Sequence, residues 1–207
     1  MSTAPCVFLV DDHPALLKAI ARLLAAEGLA VETFGAAQDF LDSGRAAAPG
    51  CLVLDLSMPG MNGLALQQAL AGLACLLPVI FLTGHGDIDS GVRAMKLGAA
   101  DFLTKPVDAE RLVATVHAAF ASNAAARADL AERLDIEQRL ASLTPREREV
   151  LDLLVEGLLN KQVAAELGTV EKTVKVHRAR VMAKMKVRSL TALVRLADRV
   201  RGAARSP

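Results

Sequence analysis

The sequence predicts an α/β domain with a doubly wound parallel sheet, followed by a small all-α domain. Five short apolar runs alternate with longer helical patterns over the first 120 residues of the 207-residue chain, whereas the pattern from Leu143 onward is only helical. Charge divides the chain in the same way, with seven Lys and Arg against twelve Asp and Glu in residues 1–120, and fourteen against seven in residues 143–207. Two domains with different partners are therefore expected, and the basic one is expected to bind nucleic acid.

The five apolar runs are short enough to be strands. They are CVFLV at 6–10, AVETF at 30–34, CLVL at 51–54, PVIFL at 78–82 and DFL at 101–103. The first intervening helix shows helical spacing best, with Pro14 near its start and Gly28 just past its end. Strands and helices that alternate in this way form a parallel sheet with helices on both faces. Ligands of such sheets bind at the carboxyl ends of the strands.

Polar residues stand at the carboxyl ends of four of these strands. Asp11 and Asp12 follow the first strand, Asp55 the third, Thr83 the fourth and Lys105 the fifth. Carboxylates that crowd together repel one another, so their convergence favours a site for a hard divalent cation such as Mg²⁺, or Mn²⁺. Beside the metal, Asp55 is expected to act as a nucleophile. Lys105 would supply positive charge, and the Thr83 hydroxyl would donate a hydrogen bond to an added anionic group.

Taken one at a time, these residues have simpler interpretations. An acidic residue at a strand end is usually solvated, the Thr83 hydroxyl could close a turn, and Phe102 in the last strand could belong to the core. His13 and His85 are expected to be solvent-facing loop residues, since neither thiolates nor a His-x-x-x-His spacing accompany them to bind zinc. The convergence of all the strand-end groups favours one shared site over these separate interpretations.

The same residues carry a family resemblance. The Asp11–Asp12 pair, the segment LDLSMPGMNG, Thr83, and Lys105 with Pro106 resemble the receiver domain of two-component response regulators across about the first 120 residues. The resemblance implies a flavodoxin-like (βα)5 fold in which Asp55 accepts a phosphoryl group from a sensor histidine kinase. It also implies Mg²⁺ or Mn²⁺ held by Asp12, Asp55 and the Ser57 backbone carbonyl, with Asp11 helping through water. Thr83 and Lys105 would bind the phosphoryl oxygens, and Phe102 would be an aromatic switch.

The basic half begins with a strong helix start. Thr144 is a helix-capping residue type, Pro145 suits the first helical position, and Glu147 completes a capping box. A second helix is predicted to begin near Asn160 and end at Gly168, and a third is predicted over 171–185 after a short turn. Two helices joined in this way are typical of a helix-turn-helix.

The third of these helices has two different faces. Val170, Val174, His177, Val181 and Met185 form an apolar stripe, in which His177 is expected to be packed and hydrogen-bonded. The opposite face combines small residues with flanking cations, which suits entry into a major groove and contact with phosphates. A solvated basic surface is the plainer alternative, although the preceding turn and the local charge favour DNA. This face comprises Lys172, Lys175, Val176, Ala179, Arg180 and Ala183.

The segments EREVLDLLVEGLLNKQVAAEL and KTVKVHRARVMAKM resemble the LuxR-type helix-turn-helix over most of residues 140–200. Joined to a receiver, they resemble the NarL/FixJ class of response regulators, and the TGHGD loop favours the FixJ side. Relatives have Ser or a similar cap where Val170 stands, so the third helix starts from Thr169 or is uncapped. Relatives also often carry a longer polar residue at Ala179. The resemblance implies base contacts from Lys175 and Val176, and backbone contacts from Lys172, Thr173, Arg180 and Lys184.

The segment between the two halves is expected to be helical, because it is rich in Ala, Glu, Arg and Leu and has no Gly or Pro. The predicted domains are a receiver at 1–121, a helical linker at 122–142 and a LuxR-type DNA-binding domain at 143–207. Leu130, Leu134, Ile136 and Leu140 form an imperfect apolar seam in the linker. A dimer contact is the alternative to a plain spacer for this seam.

The expected function is that of a DNA-binding response regulator and not of an enzyme. Phosphorylation of Asp55 is expected to control a homodimer that reads paired half-sites in double-stranded promoter DNA, with RNA polymerase as a further partner. Three scattered cysteines, without a signal or membrane-spanning segment, indicate the cytoplasm and no membrane partner. The alternatives are a ligand-sensing regulator without phosphotransfer, and a phosphatase of the haloacid dehalogenase type, which needs a second Asp where Ser57 stands.

Overall fold

The computed structural model describes residues 4–84, 93 and 95–203, with the side chains up to residue 199. The chain divides into two compact units, Met1–Arg127 and Ala128–Pro207. Among the residues that the structure describes, no helix has both the length and the apolar character needed to cross a membrane.

A five-stranded parallel sheet forms the centre of the first unit. Its strand order is β2-β1-β3-β4-β5, and every neighbouring pair is parallel. All five predicted strands are present, and β4 begins after Pro78 because proline has no N–H for the sheet ladder. The strands are β1 Cys6–Val10, β2 Ala30–Phe34, β3 Gly50–Asp55, β4 Val79–Thr83 and β5 Asp101–Thr104.

Helices cover both faces of the sheet, which confirms the doubly wound, flavodoxin-like fold. Within the described part of this unit, the helices are α1 Pro14–Ala26, α2 Ala37–Asp42, α3 Gly63–Gly72 and the first part of α4 Ala109–Ala141, with a short 3-10 turn at Arg45–Ala47. Alternate side chains of β1 enter different cores: Phe8 packs in the cluster under α2 and α3, and Leu9 packs in the cluster under α1 and α4. The carboxyl ends of the strands consequently lie at one edge between two helical layers.

The long helix α4 remains packed in the first unit beyond residue 121. Asn123 is 2% exposed, and its Oδ1 accepts a hydrogen bond from the Gly50 N–H at 3.1 Å. Its Nδ2 donates to the Leu76 carbonyl at 2.7 Å, and Arg127 Nη1 donates to the Ala47 carbonyl at 2.9 Å. Residues 122–127 are thus tied to the loops that precede β3 and β4, while residues 128–141 belong to the second unit.

Gly63 lies where α3 crosses the end of β3, and replacing it with Ala is expected to destabilise the first unit. An added Cβ would lie 2.4 Å from the Asp55 carbonyl oxygen and 2.9 Å from Phe81 Cε1. Such overpacking costs about 1–3 kcal/mol in the free energy of unfolding. Gly72, the last residue of the same helix, has no atom within 4 Å of an added Cβ. Urea unfolding of Gly63→Ala and Gly72→Ala compares the two sites, and equal stability of the two variants would contradict the expectation.

Four further helices and the end of α4 form the second unit. They are α5 Pro145–Val155, α6 Asn160–Glu166, α7 Glu171–Lys184 and α8 Leu190–Ala203. The predicted capping box is present at the start of α5: Thr144 Oγ1 accepts from the Glu147 N–H at 3.3 Å, and the Thr144 N–H donates to Glu147 Oε2 at 2.9 Å. Val174, Val181 and Met185 are fully buried, as the predicted apolar stripe requires. The all-α second domain is therefore confirmed.

Two predictions about the apolar stripe are corrected by the structure. Val170 is 65% exposed, because it is the N-cap residue of α7 and stands before the helical repeat begins. Its side chain cannot cap the helix, so α7 starts without a side-chain capping bond, which is one of the two outcomes expected. His177 is packed and half-buried, but its buried Nδ1 has no hydrogen-bond partner among the described residues.

Candidate functional site

Asp11 and Asp55 lie side by side at the carboxyl edge of the sheet. Asp11 directly follows β1 and Asp55 ends β3, and these two strands are neighbours. Both residues are buried, with 0% and 3% of their surface exposed. Four potential metal-ligand atoms lie within 4.8 Å of one another at this edge, one each from Asp11, Asp12, His13 and Asp55. The parallel topology has thus brought together the carboxylates that were widely separated in sequence.

Lys105 supplies positive charge to this cluster from the end of β5. Its Nζ lies 2.8 Å from Asp11 Oδ2 and 2.9 Å from Asp55 Oδ1. The peptide bond between Lys105 and Pro106 is cis. One ammonium therefore bridges the two buried carboxylates, and hydrogen bonds of this charged kind are the strong ones.

Burial and charge pull the pKa values of these groups in opposite directions. Burial raises the pKa of Asp55 above its usual value, and the hydrogen bonds from Lys105 and from the Ser57 backbone offset only part of this effect. Burial also acts to lower the pKa of Lys105, but the hydrogen bonds to Asp11 and Asp55 outweigh it and leave the pKa raised. Lys105 therefore stays protonated and positively charged. The negative charge of Asp55 is stabilised only in part by the groups around it.

The donor set fits a hard divalent cation. Three carboxylates converge, and Asp12 Oδ1 is buried and accepts no hydrogen bond among the described residues, because His13 Nδ1, although close to it, is not aligned for one. The His13 ring, whose side chain is 68% exposed, places Nδ1 3.0 Å from Asp12 Oδ1 and 3.2 Å from Asp11 Oδ1. Carboxylate oxygens are the ligands that Mg²⁺ prefers. Sequence reasoning treated His13 as a loop residue only, although its place directly after the Asp pair was a usable signal.

The remaining residues expected at this site are differently placed. Thr83 is 4% exposed, and its hydroxyl donates to the Gly84 carbonyl at 3.0 Å. Phe102 is 39% exposed, so the alternative that it is a core residue is wrong. Ser57 is exposed and follows β3 by two residues. His85 and the rest of the TGHGD loop after Gly84 lie outside the described residues.

The outward face of α7 is exposed and basic. Lys172, Val176 and Arg180 are exposed, and Thr173 is half-buried. Lys175 Nζ lies 2.9 Å from Glu171 Oε1, with the side chains 62% and 45% exposed. An ion pair this exposed contributes little free energy and is easily exchanged for another partner. These side chains are therefore available to a polyanionic ligand.

Lys184 differs from the other cations of α7, because its ammonium already has internal partners. Its Nζ lies 2.6 Å from Glu147 Oε2 and donates to the Ser142 carbonyl at 2.9 Å. The Glu147 carboxylate is 3% exposed. The hydrogen bond from Lys184, followed by that from the Thr144 backbone, lowers the pKa of Glu147 to about 2.

Acid is expected to destabilise the second unit through Glu147. A carboxyl group whose pKa is lower in the folded than in the unfolded chain stabilises the fold at every pH above its unfolded-state pKa. This stabilisation is lost as the pH falls toward the folded-state pKa. The loss should therefore occur between about pH 4.5 and pH 2. Thermal unfolding of the natural chain and of Glu147→Gln across this range measures it, with Glu156→Gln at the exposed end of α5 as control. A Glu147→Gln variant with the same pH dependence as the natural chain would contradict this assignment.

Two family models match the chain and together span most of it. The response regulator receiver domain matches residues 7–117, and the LuxR family of bacterial regulatory proteins matches residues 141–197. The response regulator protein TodT of Pseudomonas putida is 42% identical over 198 residues, 96% of this chain and 87% of TodT. The transcriptional regulatory protein FixJ of Azorhizobium caulinodans is 45% identical over 191 residues, 92% of this chain and 90% of FixJ.

Solved structures agree with these matches. The response regulator StyR is similar with a TM-score of 0.87 and 45% identity, covering 95% of this chain and 99% of StyR. Full-length FixJ from B. japonicum is similar with a TM-score of 0.59 and 40% identity, covering 97% and 98% of the two chains. The chain therefore belongs to the two-component response regulators that join a receiver domain to a LuxR-type DNA-binding domain and regulate transcription.

Proposed function

We propose that Asp55 is the phosphoacceptor of this response regulator and that a sensor histidine kinase is its phosphoryl donor. The single observation that carries the proposal is the buried Asp55 carboxylate, held by Lys105 beside Asp11 and Asp12. A carboxylate beside a cationic group can attack a phosphorus atom while that cation stabilises the negative charge of the phosphoryl oxygens. The kinase residue that gives up the phosphoryl group would be a phosphohistidine.

Asp11, Asp12, Asp55 and the Ser57 backbone carbonyl would hold Mg²⁺, or Mn²⁺, in this reaction. The buried Asp12 Oδ1, which accepts no hydrogen bond among the described residues, and the single Lys105 ammonium shared by two buried carboxylates support this assignment. A bound metal would supply positive charge that offsets the repulsion between the Asp55 carboxylate and the phosphoryl oxygens. Carboxylates alone would repel the incoming phosphoryl group, which explains why the acidic pocket needs the cation.

The residues of the chain have separate tasks in the transfer. An Asp55 carboxylate oxygen forms the new bond to phosphorus as the bond from phosphorus to the histidine nitrogen breaks. Lys105, whose Nζ is 2.9 Å from Asp55 Oδ1, would neutralise charge on the phosphoryl oxygens. Thr83 would turn its hydroxyl from the Gly84 carbonyl to a phosphoryl oxygen. The exposed Phe102 would then change position as the aromatic switch.

The basic face of α7 would read double-stranded promoter DNA in the major groove. Lys175 and Val176 would contact base edges, and Lys172, Thr173 and Arg180 would contact the backbone. The exposure of these side chains supports the assignment. Lys184, also expected on the DNA backbone, has the internal partners described above. Phosphorylation would favour a homodimer that reads paired half-sites and contacts RNA polymerase in the cytoplasm.

We retain the expected boundaries as part of the proposal: a receiver at 1–121, a helical linker at 122–142 and a DNA-binding domain at 143–207. The structure supports them in part only, because residues 122–127 pack in the first unit and residues 128–141 in the second. In functional terms, the linker would then be divided between the two domains.

The test of the proposed chemistry is phosphoryl uptake with and without metal. Natural chain is incubated with acetyl phosphate, either with Mg²⁺ or with a chelator present from the start, and the intact mass of both samples is then measured. One added phosphoryl group with Mg²⁺, and none once the chelator is present from the start, is the expected result. Equal uptake in both samples would contradict the role given to the carboxylate cluster.

A further inference from the structure

Lys184 joins three separate parts of the second unit. It is the last residue of α7, and its ammonium bonds to Glu147 in the first turn of α5 and to the carbonyl of Ser142, which follows the last residue of α4. Its partner Glu147 Oε2 also accepts from the Thr144 N–H. The end of α4, the start of α5 and the end of α7 therefore meet at one charged group.

Arg139 makes a second connection between α4 and α7. Its Nη1 donates to the carbonyl of Met185, the C-cap residue of α7, at 3.2 Å. A cation at the carboxyl end of a helix is favourable, because the last carbonyls of the helix have no intrahelical donor. Arg139 is itself held by an ion pair with Asp135, one turn earlier in α4. The ion pair within α4 thus holds the Arg139 guanidinium where it reaches the Met185 carbonyl.

Apolar packing reinforces these polar contacts. Ile136 of α4 is 2% exposed and belongs to one core cluster with Val181 and Met185, the buried residues near the end of α7. Leu140 packs against the same cluster. The end of α4, from Ile136 to Leu140, is consequently part of the core that supports α7 and is more than a spacer that precedes it.

We propose that Lys184 and Arg139 are positioning residues that fix α7 on the end of α4, and that Lys184 does not contact DNA phosphate. The proposal rests on the proposed function of α7 in reading DNA. Lys184 has a buried carboxylate and a backbone carbonyl as partners, whereas Lys172, Lys175 and Arg180 point their charge outward. The end of α4 thereby sets how the reading face of α7 is presented to the groove.

Salt dependence separates a positioning residue from a phosphate contact. Each lost phosphate contact reduces the slope of log affinity against log salt by about 0.9 on duplex DNA. A positioning residue changes affinity and leaves this slope unchanged, since the number of released counterions stays the same. The probe is the duplex that the natural chain selects from a random pool, and binding is followed by fluorescence anisotropy in the full-length chain.

We expect Lys184→Gln to weaken binding to the selected duplex about ten-fold, the size of a typical coupling between contacting residues, with an unchanged salt slope. Lys184→Arg should restore affinity, because a guanidinium can donate to both the Glu147 carboxylate and the Ser142 carbonyl. Arg139→Gln should weaken binding in the same way and leaves no buried charge unpaired. Arg180→Gln is the matched control on the same helix and should lower the slope by about 0.9.

A reduced slope for Lys184→Gln would make Lys184 a phosphate contact and overturn the proposal. Unchanged affinity in both Lys184→Gln and Arg139→Gln would overturn it as well. Thermal unfolding shows whether each variant is folded, and Arg139→Gln decides the question if Lys184→Gln is not. If the natural chain, after treatment with acetyl phosphate and Mg²⁺, selects no sequence from the pool, the proposed DNA function fails and this inference falls with it.

Discussion

An Asp55→Asn variant is expected to gain no phosphoryl group from acetyl phosphate and Mg²⁺, whereas the natural chain gains one. The amide keeps the shape of the carboxylate but has no anionic oxygen to attack phosphorus. It also removes one carboxylate ligand from the metal cluster and one partner of Lys105. Intact mass spectrometry measures the difference directly.

The control for this experiment is Asp39→Asn, an exposed residue in the first turn of α2. It should take up one phosphoryl group, as the natural chain does. An adduct that persists in Asp55→Asn would move the acceptor to another residue. A short-lived adduct is excluded if beryllofluoride, which mimics the phosphoryl group, does not bind to the natural chain. If no adduct forms in either protein and beryllofluoride does not bind, the acidic pocket serves a ligand other than phosphate.

The second large effect is expected on the reading face of α7. Lys175→Ala should weaken binding to the selected duplex by about 1–3 kcal/mol and relax the sequence preference, because a base contact is lost. Arg180→Ala should weaken binding to all sequences alike and reduce the salt slope by about 0.9, because a phosphate contact is lost. Anisotropy titrations on the selected duplex and on a scrambled duplex distinguish the two patterns.

Lys18→Ala provides the charge-matched control for these titrations. Lys18 is exposed on α1, in the unit that carries the acidic cluster. Its loss removes the same charge from the chain without touching α7, so affinity should stay within the error of the natural value. Binding that is unchanged in both Lys175→Ala and Arg180→Ala would exclude this face of α7 from the groove.

Much of the fold and of the acidic cluster at the strand ends could be predicted, because both follow simple rules of sequence pattern and sheet topology. The strands have a clear apolar pattern, and a parallel sheet forces its carboxyl ends to one edge. That rule alone placed Asp11, Asp55 and Lys105 together. The start of α5 was equally local, since the capping box involves only Thr144 and Glu147, three residues apart.

The second role of Glu147 could not be predicted, because its partner Lys184 is 37 residues away in the sequence. On sequence alone Lys184 looked like one more cation of a DNA-reading helix. Burial of the Glu147 carboxylate, which only the folded unit provides, makes the ammonium an internal partner. The same limit applies to Asn123, whose two hydrogen bonds reach residues in loops distant in sequence.

The apolar seam in the linker was ambiguous for a different reason. Leu130 and Leu134 are 41% and 48% exposed, whereas Ile136 is buried and Leu140 packs against its cluster. The four residues therefore do not share one face. A short helix with an imperfect repeat cannot reveal from periodicity alone which of its residues face a partner.

The central claim is that phosphorylation at Asp55 controls DNA binding. Phosphorylation can control DNA binding only if the phosphoryl group stabilises the DNA-binding form of the chain more than the other form. The decisive measurement is the affinity for the selected duplex before and after treatment with acetyl phosphate and Mg²⁺, in the natural chain and in Asp55→Asn. We predict tighter binding after treatment in the natural chain only. Equal affinity before and after treatment, in a chain shown by mass to be phosphorylated, would contradict the claim.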